Sequence, residues 1–150
     1  MSALFAFLHH LAAFAVVGAL AAEFVLLRGP LTIERARQVR VVDAVLGLAA
    51  GLVLVIGLLR VFLFEKGAAY YFHSVPFIAK VVLFLIVGLL SIYPTVEFVR
   101  WKAPLARGEA PVVPERKLRR IRALIHWELA LVVFVVLAAA LMARGIGYVA

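Results

Sequence analysis

The sequence predicts an all-α integral membrane protein folded as a four-helix up-down bundle. The 150-residue chain is 67% hydrophobic, whereas a soluble domain is nearer half. Its apolar residues gather in four stretches, each close to the roughly 20 residues that a helix needs to cross a bilayer. Short connectors favour antiparallel neighbours, and we treat residues 1–150 as a single transmembrane domain. The stretches are Leu4–Leu27, Val41–Phe64, Val75–Val99 and Arg122–Ala143.

The first stretch resembles a secretory signal, but it has no basic n-region and is longer than an h-region, so we interpret it as a retained helix. Arg28-Gly29-Pro30 ends it, because proline cannot continue a helix. We expect an interfacial turn at Thr32–Arg37 and an irregular connector at Lys102–Arg119. The connector Glu65–Ser74 holds Tyr70 and Tyr71, which suit a membrane interface.

The formal net charge of +8 is concentrated in two of the three connectors. The second connector has Lys66 as its basic residue. Because Lys and Arg accumulate on cytoplasmic loops, we predict that both termini face outward, in a bacterial inner (cytoplasmic) membrane. This placement suits anionic lipid headgroups and argues against nucleic acid as a partner. The basic residues of the first and third connectors, with the adjoining helix edge, are Arg28, Arg35, Arg37, Arg40, Arg100, Lys102, Arg107, Arg116, Lys117, Arg119, Arg120 and Arg122.

Five basic side chains fall in the outer half of the predicted bilayer. Ionisable groups at membrane depth are costly and therefore mark candidate functional sites. On the first helix His9 shares a face with small residues, which mark packed surfaces, whereas His10 points about 100° away. Lys80 shares its face with Ser91 and Pro94. The five residues are His9, His10, Arg60, His73 and Lys80.

Two interpretations of the outer residues remain open. A lysine near a helix end can extend its ammonium to the headgroups, and a histidine there can sit in the interface. Alternatively, Lys80 faces the bundle interior, where a lysine pairs with an acid, gives up its proton or contacts a ligand. The sequence offers Lys80 no acid at its depth except Glu65 at the edge of the connector. An anionic or electron-rich ligand would then explain its position.

Two strings resemble the HemJ-type protoporphyrinogen oxidase family, whose members are small membrane haem b proteins related to the CopD-like copper-resistance proteins. The first is Leu8-His9-His10-Leu11-Ala12-Ala13 with Gly18-Ala19 and Arg28. The second is Ile78-Ala79-Lys80-Val81-Val82-Leu83. Two positions differ, since the family's Tyr-His is here Tyr93-Pro94 and its Asn-Glu-Pro is His126-Trp127-Glu128. The chain also resembles a bacterial family of predicted membrane proteins of unknown function.

The resemblance implies haem b as the cofactor, with His9 as the iron ligand and Lys80 as the family's lysine. Histidine is a common axial ligand, and Arg60 could pair with the propionates. His10 and His73 are the other candidate cofactor-binding residues. The implied partners are membrane lipid and a quinone, a porphyrin or an electron-transfer protein, and a homo-oligomer is left open. Whether the chain is an enzyme stays open too; a membrane oxidoreductase is the candidate.

A second set of polar residues lies near the inner ends of all four helices. Carboxylates and imidazoles from several helices form metal sites in bundles and suit Mn, Fe or Zn. The alternative is pairing at the interface, with Glu97 bound to Arg100, Glu23 to Arg28 or an arginine of a connector, and Asp43 capping the second helix. These candidate metal ligands are Glu23, Asp43, Glu97, His126 and Glu128.

The sequence therefore leaves three functional hypotheses. The first is a haem b protein with a redox or haem-handling role, the second a metal-handling or transport protein that uses the inner carboxylates, and the third an assembly subunit without a cofactor. The sequence has no cysteine, which excludes disulfides, thiolate metal sites and covalent c-type haem. No phosphate-binding glycine loop or hydrolase motif is present.

Overall fold

A computed structural model describes residues 2–64 and 73–147 of the chain. Helix α1 covers Ser2–Leu26, α2 covers Ile33–Leu59, and a π-helical segment, Arg60–Phe64, continues α2. Helix α3 covers Val75–Arg100, α4 is the short helix Lys102–Ala106, and α5 covers Glu115–Ala143. In the described residues four helices, α1, α2, α3 and α5, are long and apolar enough to cross a membrane. The predicted all-α membrane class is confirmed. Lys66, Tyr70 and Tyr71 lie outside the described residues.

Helix α2 begins eight residues earlier than the predicted Val41 boundary, at Ile33. The prediction of an interfacial turn at Thr32–Arg37 was wrong, because Thr32 is the N-cap and its side-chain oxygen accepts a hydrogen bond from the Arg35 backbone at 3.2 Å. Glu34 lies in the first turn, where a negative charge favours the helix dipole. Asp43 is therefore deep within α2, and its predicted role as a cap is also wrong.

The connector Lys102–Arg119 is more ordered than predicted. It contains α4, and α5 begins at Glu115 rather than at Arg122. The boundary was predicted to follow a run of charged residues. These residues lie on the first turns of α5, which extend beyond the apolar stretch. The buried side of these turns packs inward. This packing forms an apolar core at one end of the bundle, made of Leu27, Ala36, Val39, Phe98, Trp101, Leu105, Leu118, Ile121 and Ile125.

The bundle consists of two antiparallel helix pairs. Helix α1 packs most extensively on α2, and α3 on α5, while α1–α5 and α2–α3 contacts join the pairs. A second core fills the middle of the bundle and includes Val16, Ala19 and Leu20 from α1. Many large apolar side chains outside these cores are exposed, as expected for helices that face lipid. We call the end where α1 begins and α5 ends the outer end, and the opposite end the inner end.

The outer end is tied together by the tail of α5. Gly145 has a φ of 70° and ends the helix in a Schellman motif, in which the Ile146 amide donates to the Leu141 carbonyl at 3.1 Å. The Val75 amide then donates to the Gly147 carbonyl at 3.1 Å. The start of α3 and the end of α5 are thereby held side by side.

Candidate functional site

His9 lies against α2 with its ring partly buried. A Cβ added to Gly57 would lie 3.2 Å from His9 Cε1, so the ring occupies space that the glycine leaves open. The carbonyl of Val53, one turn away on α2, also contacts the ring. Nδ1 of His9 is buried and finds no hydrogen-bond partner among the described residues. The predicted inward orientation is confirmed.

His10 differs from His9 in its exposure and in its hydrogen bonding. Its side chain is exposed, and its Nδ1 lies 2.6 Å from the carbonyl oxygen of Ala6, on its own helix. The two rings meet edge to face with centroids 6.2 Å apart. Of the adjacent histidines, His9 has the buried nitrogen that remains available.

Lys80 is partly buried between α3 and α5. Its Nζ lies 3.8 Å from Met142 Sδ and 5.2 Å from the centroid of the Phe77 ring. Lys80 and Arg60 are both near enough to His9 for their charges to act on its ring. The structure thus places His9, Lys80 and Arg60 in one outer group, as predicted from their depth. His73 is exposed just before α3.

Two further residues contact the outer group of His9, Lys80 and Arg60, and the sequence did not predict them. Met142 is one of many apolar residues in the last stretch, and the fold brings its thioether to Lys80. Gly57 is one of several glycines in α2, and the crossing of α1 over α2 places it beneath His9. Arg60 begins the π-helical segment, a backbone form that is frequent at functional sites.

The inner acids divide into two groups. Glu23, Asp43 and Glu128 are buried in the bundle and close enough for their charges to interact. Ser91 Oγ donates a hydrogen bond to Glu128 Oε2 at 2.7 Å, and Thr95 Oγ1 donates to Asp43 Oδ1 at 2.6 Å. The buried face predicted for α3 through Ser91 is confirmed by this bond.

Glu97, which is also buried, and His126 stand apart from the group formed by Glu23, Asp43 and Glu128. Glu97 pairs with Lys117 at 3.0 Å and with Arg100 at 3.7 Å, which confirms its predicted partner Arg100. His126 is exposed, with its ring centroid 6.0 Å from that of Phe24. Across residues 2–64 and 73–147, no three His, Asp or Glu side chains are grouped so that they could hold a metal ion.

Arginines close the inner end of α1. Arg122 Nε donates to the carbonyl oxygen of Leu27 at 2.6 Å, which satisfies one of the carbonyls that a helix terminus leaves open. Arg28 lies over the Phe24 ring at 4.5 Å rather than beside Glu23. Of the two predicted partners of Glu23, Arg28 or an arginine of a connector, Arg28 is therefore wrong.

Comparison with known proteins places the chain in a family. The family model described as predicted membrane protein (DUF2214) matches residues 1–147. The chain belongs to this family. No curated protein and no solved structure matches the chain. The family description supports a membrane protein and states no activity, so the resemblance to HemJ-type and CopD-like proteins stays a prediction.

Proposed function

We propose that this protein binds haem b in the outer half of its bundle, with His9 as an axial ligand of the iron, and that it serves in redox chemistry or haem handling. The observation that carries the proposal is the Nδ1 of His9, which is buried and has no hydrogen-bond partner in residues 2–64 and 73–147. A buried polar atom without a partner costs about 1–3 kcal/mol. Coordination of a metal would satisfy this nitrogen, and imidazole is a common haem ligand.

The charges around His9 suit the other parts of the cofactor. Haem b carries two anionic propionates, and Arg60 and Lys80 are close enough to His9 for their charges to act on its ring. When bound, haem would supply an iron that exchanges single electrons. The chain's own residues would fix its position, since His9 is held by the α1–α2 contact and Lys80 by α3.

Met142 offers a second ligand type at the same end of the bundle. Thioether sulfur serves with histidine as an axial ligand in some cytochromes. Met142 Sδ lies beside Lys80, on the helix that packs against both α1 and α3. We include Met142 in the proposed site for this reason.

The proposal is tested by the visible spectrum and metal content of protein purified in detergent after expression with ample haem. A Soret band supports haem binding. A colourless protein with stoichiometric metal would instead support the metal-handling hypothesis, and a colourless protein without metal would support the assembly subunit.

Gly57 provides a test that leaves every proposed ligand in place. We expect Gly57→Ala to push the His9 ring away, because the added Cβ would lie 3.2 Å from Cε1. Haem affinity should fall about 10-fold, as when the support of a metal ligand is disturbed. Gly51→Ala is the matched control on α2, since its Cβ meets nothing within 4 Å. A haem titration that gives the same affinity for both variants would contradict the placement of His9.

Substitutions of Lys80 separate a ligand-facing role from an interfacial anchor. A guanidinium is larger and planar, whereas an ammonium is compact, and Lys80 is confined by Phe77 and Met142. We therefore expect Lys80→Arg to alter the haem spectrum almost as much as Lys80→Met. If Lys80 only reaches the headgroups, Lys80→Arg will have the haem spectrum and stability of the parent. Lys80→Met will then be less stable than the parent but will keep its spectrum. Spectra and thermal unfolding of the two variants decide between these outcomes.

A further inference from the structure

Three acids from three helices are buried together at a distance from His9 along the bundle. Glu23 of α1 is 1% exposed, Asp43 of α2 is 8% exposed, and Glu128 of α5 is 1% exposed. Glu23 lies within electrostatic reach of the other two. They share the bundle interior with the middle core. The proposed haem site does not use them.

The hydrogen bonds of these acids are incomplete. The hydroxyls of Ser91 and Thr95 each donate to one oxygen, on Glu128 and Asp43 respectively. Oε1 of Glu23 and Oε1 of Glu128 are buried and find no partner among the described residues. Two nearly inaccessible carboxyl groups therefore direct an unused oxygen into the bundle. These two buried oxygens point to a bound cation or proton.

The charges that face this group do not balance three carboxylates. Arg40, on the same helix as Asp43, is near enough to offset its charge. Glu97, on α3, is engaged by Lys117 and Arg100. An ionised carboxylate in a low-dielectric interior is costly unless it is paired. The group of Glu23, Asp43 and Glu128 thus requires at least one further positive charge, which must come from a proton or from a bound cation.

The geometry favours the proton. Residues 2–64 and 73–147 contain no group of three acids or histidines arranged to hold a metal ion. A proton needs only one carboxyl oxygen, and on Glu23 it would also remove the charge repulsion with Asp43 and Glu128. Within residues 2–64 and 73–147, Asp43 and Glu128 each accept a hydroxyl hydrogen bond from Thr95 and Ser91, whereas Glu23 accepts none.

We propose that Glu23, Asp43 and Glu128 form a proton-binding site inside the membrane, with the proton held on Glu23 at neutral pH. Binding converts the Glu23 carboxylate to a neutral carboxylic acid, and release returns the proton to the solvent. The site does not depend on haem, so a colourless protein would leave it standing.

Infrared spectroscopy of the full chain in lipid bilayers tests the site. Protonated carboxyl groups have a carbonyl stretching band that ionised ones lack and that shifts in heavy water. We expect the parent to show this band at neutral pH, and Glu23→Gln to lose it. The control is Glu34→Gln, the same change at an exposed position in the first turn of α2, which should keep the band.

Three results would overturn the proposal. One is a parent without the band, and another is a band that Glu23→Gln leaves intact. The third is a Glu23→Gln chain that does not fold, because glutamine replaces a protonated glutamate with a neutral group of the same shape. Thermal unfolding adds a second readout. If sodium or a divalent ion raises the unfolding midpoint of the parent but not of Glu23→Gln, the site holds a cation and the proton assignment is wrong.

Discussion

His9→Ala is expected to abolish haem binding. Its Nδ1 is a buried imidazole nitrogen that finds no hydrogen-bond partner in the described part of the chain, and alanine has no group that can replace it on the iron. Loss of a residue that only supports a metal ligand costs about 10- to 100-fold in affinity, so loss of the ligand itself should cost more than about 100-fold. The measurement is a haem titration of the purified variant followed in the Soret region.

His10→Ala is the matched control for this substitution. It removes the same side chain one position along α1, from a ring that is exposed and engaged with its own helix. We expect its haem affinity to stay within about 3-fold of the parent, since surface substitutions change free energies by only about 0.5 kcal/mol. Equal losses in both variants would refute the distinction between the two faces of α1.

The second large effect concerns orientation in the membrane. The first and third connectors carry most of the positive charge, and such connectors remain on the cytoplasmic side. A reporter enzyme that works only outside the cytoplasm should therefore be active when fused after Ala150. A cytoplasmic fluorescent reporter at that position should be silent.

The same reporters inserted after Gly108, between α4 and α5, should give the reverse pattern. This paired fusion controls for expression, because both chains contain all four spanning helices. If the external reporter is active after Gly108 and silent after Ala150, the bundle has the opposite orientation in the membrane. The outer end would then face the cytoplasm, and the haem proposal would have to be placed on that side.

Much of the fold could be predicted because bilayer-length apolar stretches leave few alternatives. Helix ends were harder to predict, since apolarity reports where lipid begins and not where hydrogen bonding stops. Thr32 and Glu34 together mark the true start of α2, and this capping signal was available in the sequence. The start of α5 was hidden by charged residues on turns that leave the membrane.

The outer site was predictable to the extent that depth and helical face determine it. The small residues that accompany His9 along α1 are buried, as Ala12 and Ala19 show. Gly57 and Met142 could not be found this way, because their roles depend on how two helices cross. Such crossings follow from the packing of whole surfaces and leave no local pattern.

The inner acids show the same limit, because contacts within one helix can be predicted from spacing and contacts between helices cannot. Pairing of Glu97 with Arg100 follows from their spacing on one helix. The bonds from Ser91 to Glu128 and from Thr95 to Asp43 join residues more than 30 positions apart. Only the folded bundle identifies which acids have hydroxyl donors, and only there is Glu23 Oε1 found to lack a partner among the described residues.

The central claim is tested most directly by the ratio of haem b to chain in the parent protein, extracted from membranes of cells supplied with haem. Conversion of the bound pigment to its pyridine complex identifies the haem type and its amount, and amino-acid analysis gives the amount of chain. We predict one haem b per chain. A ratio near zero in folded protein that also fails to take up added haem would contradict the account.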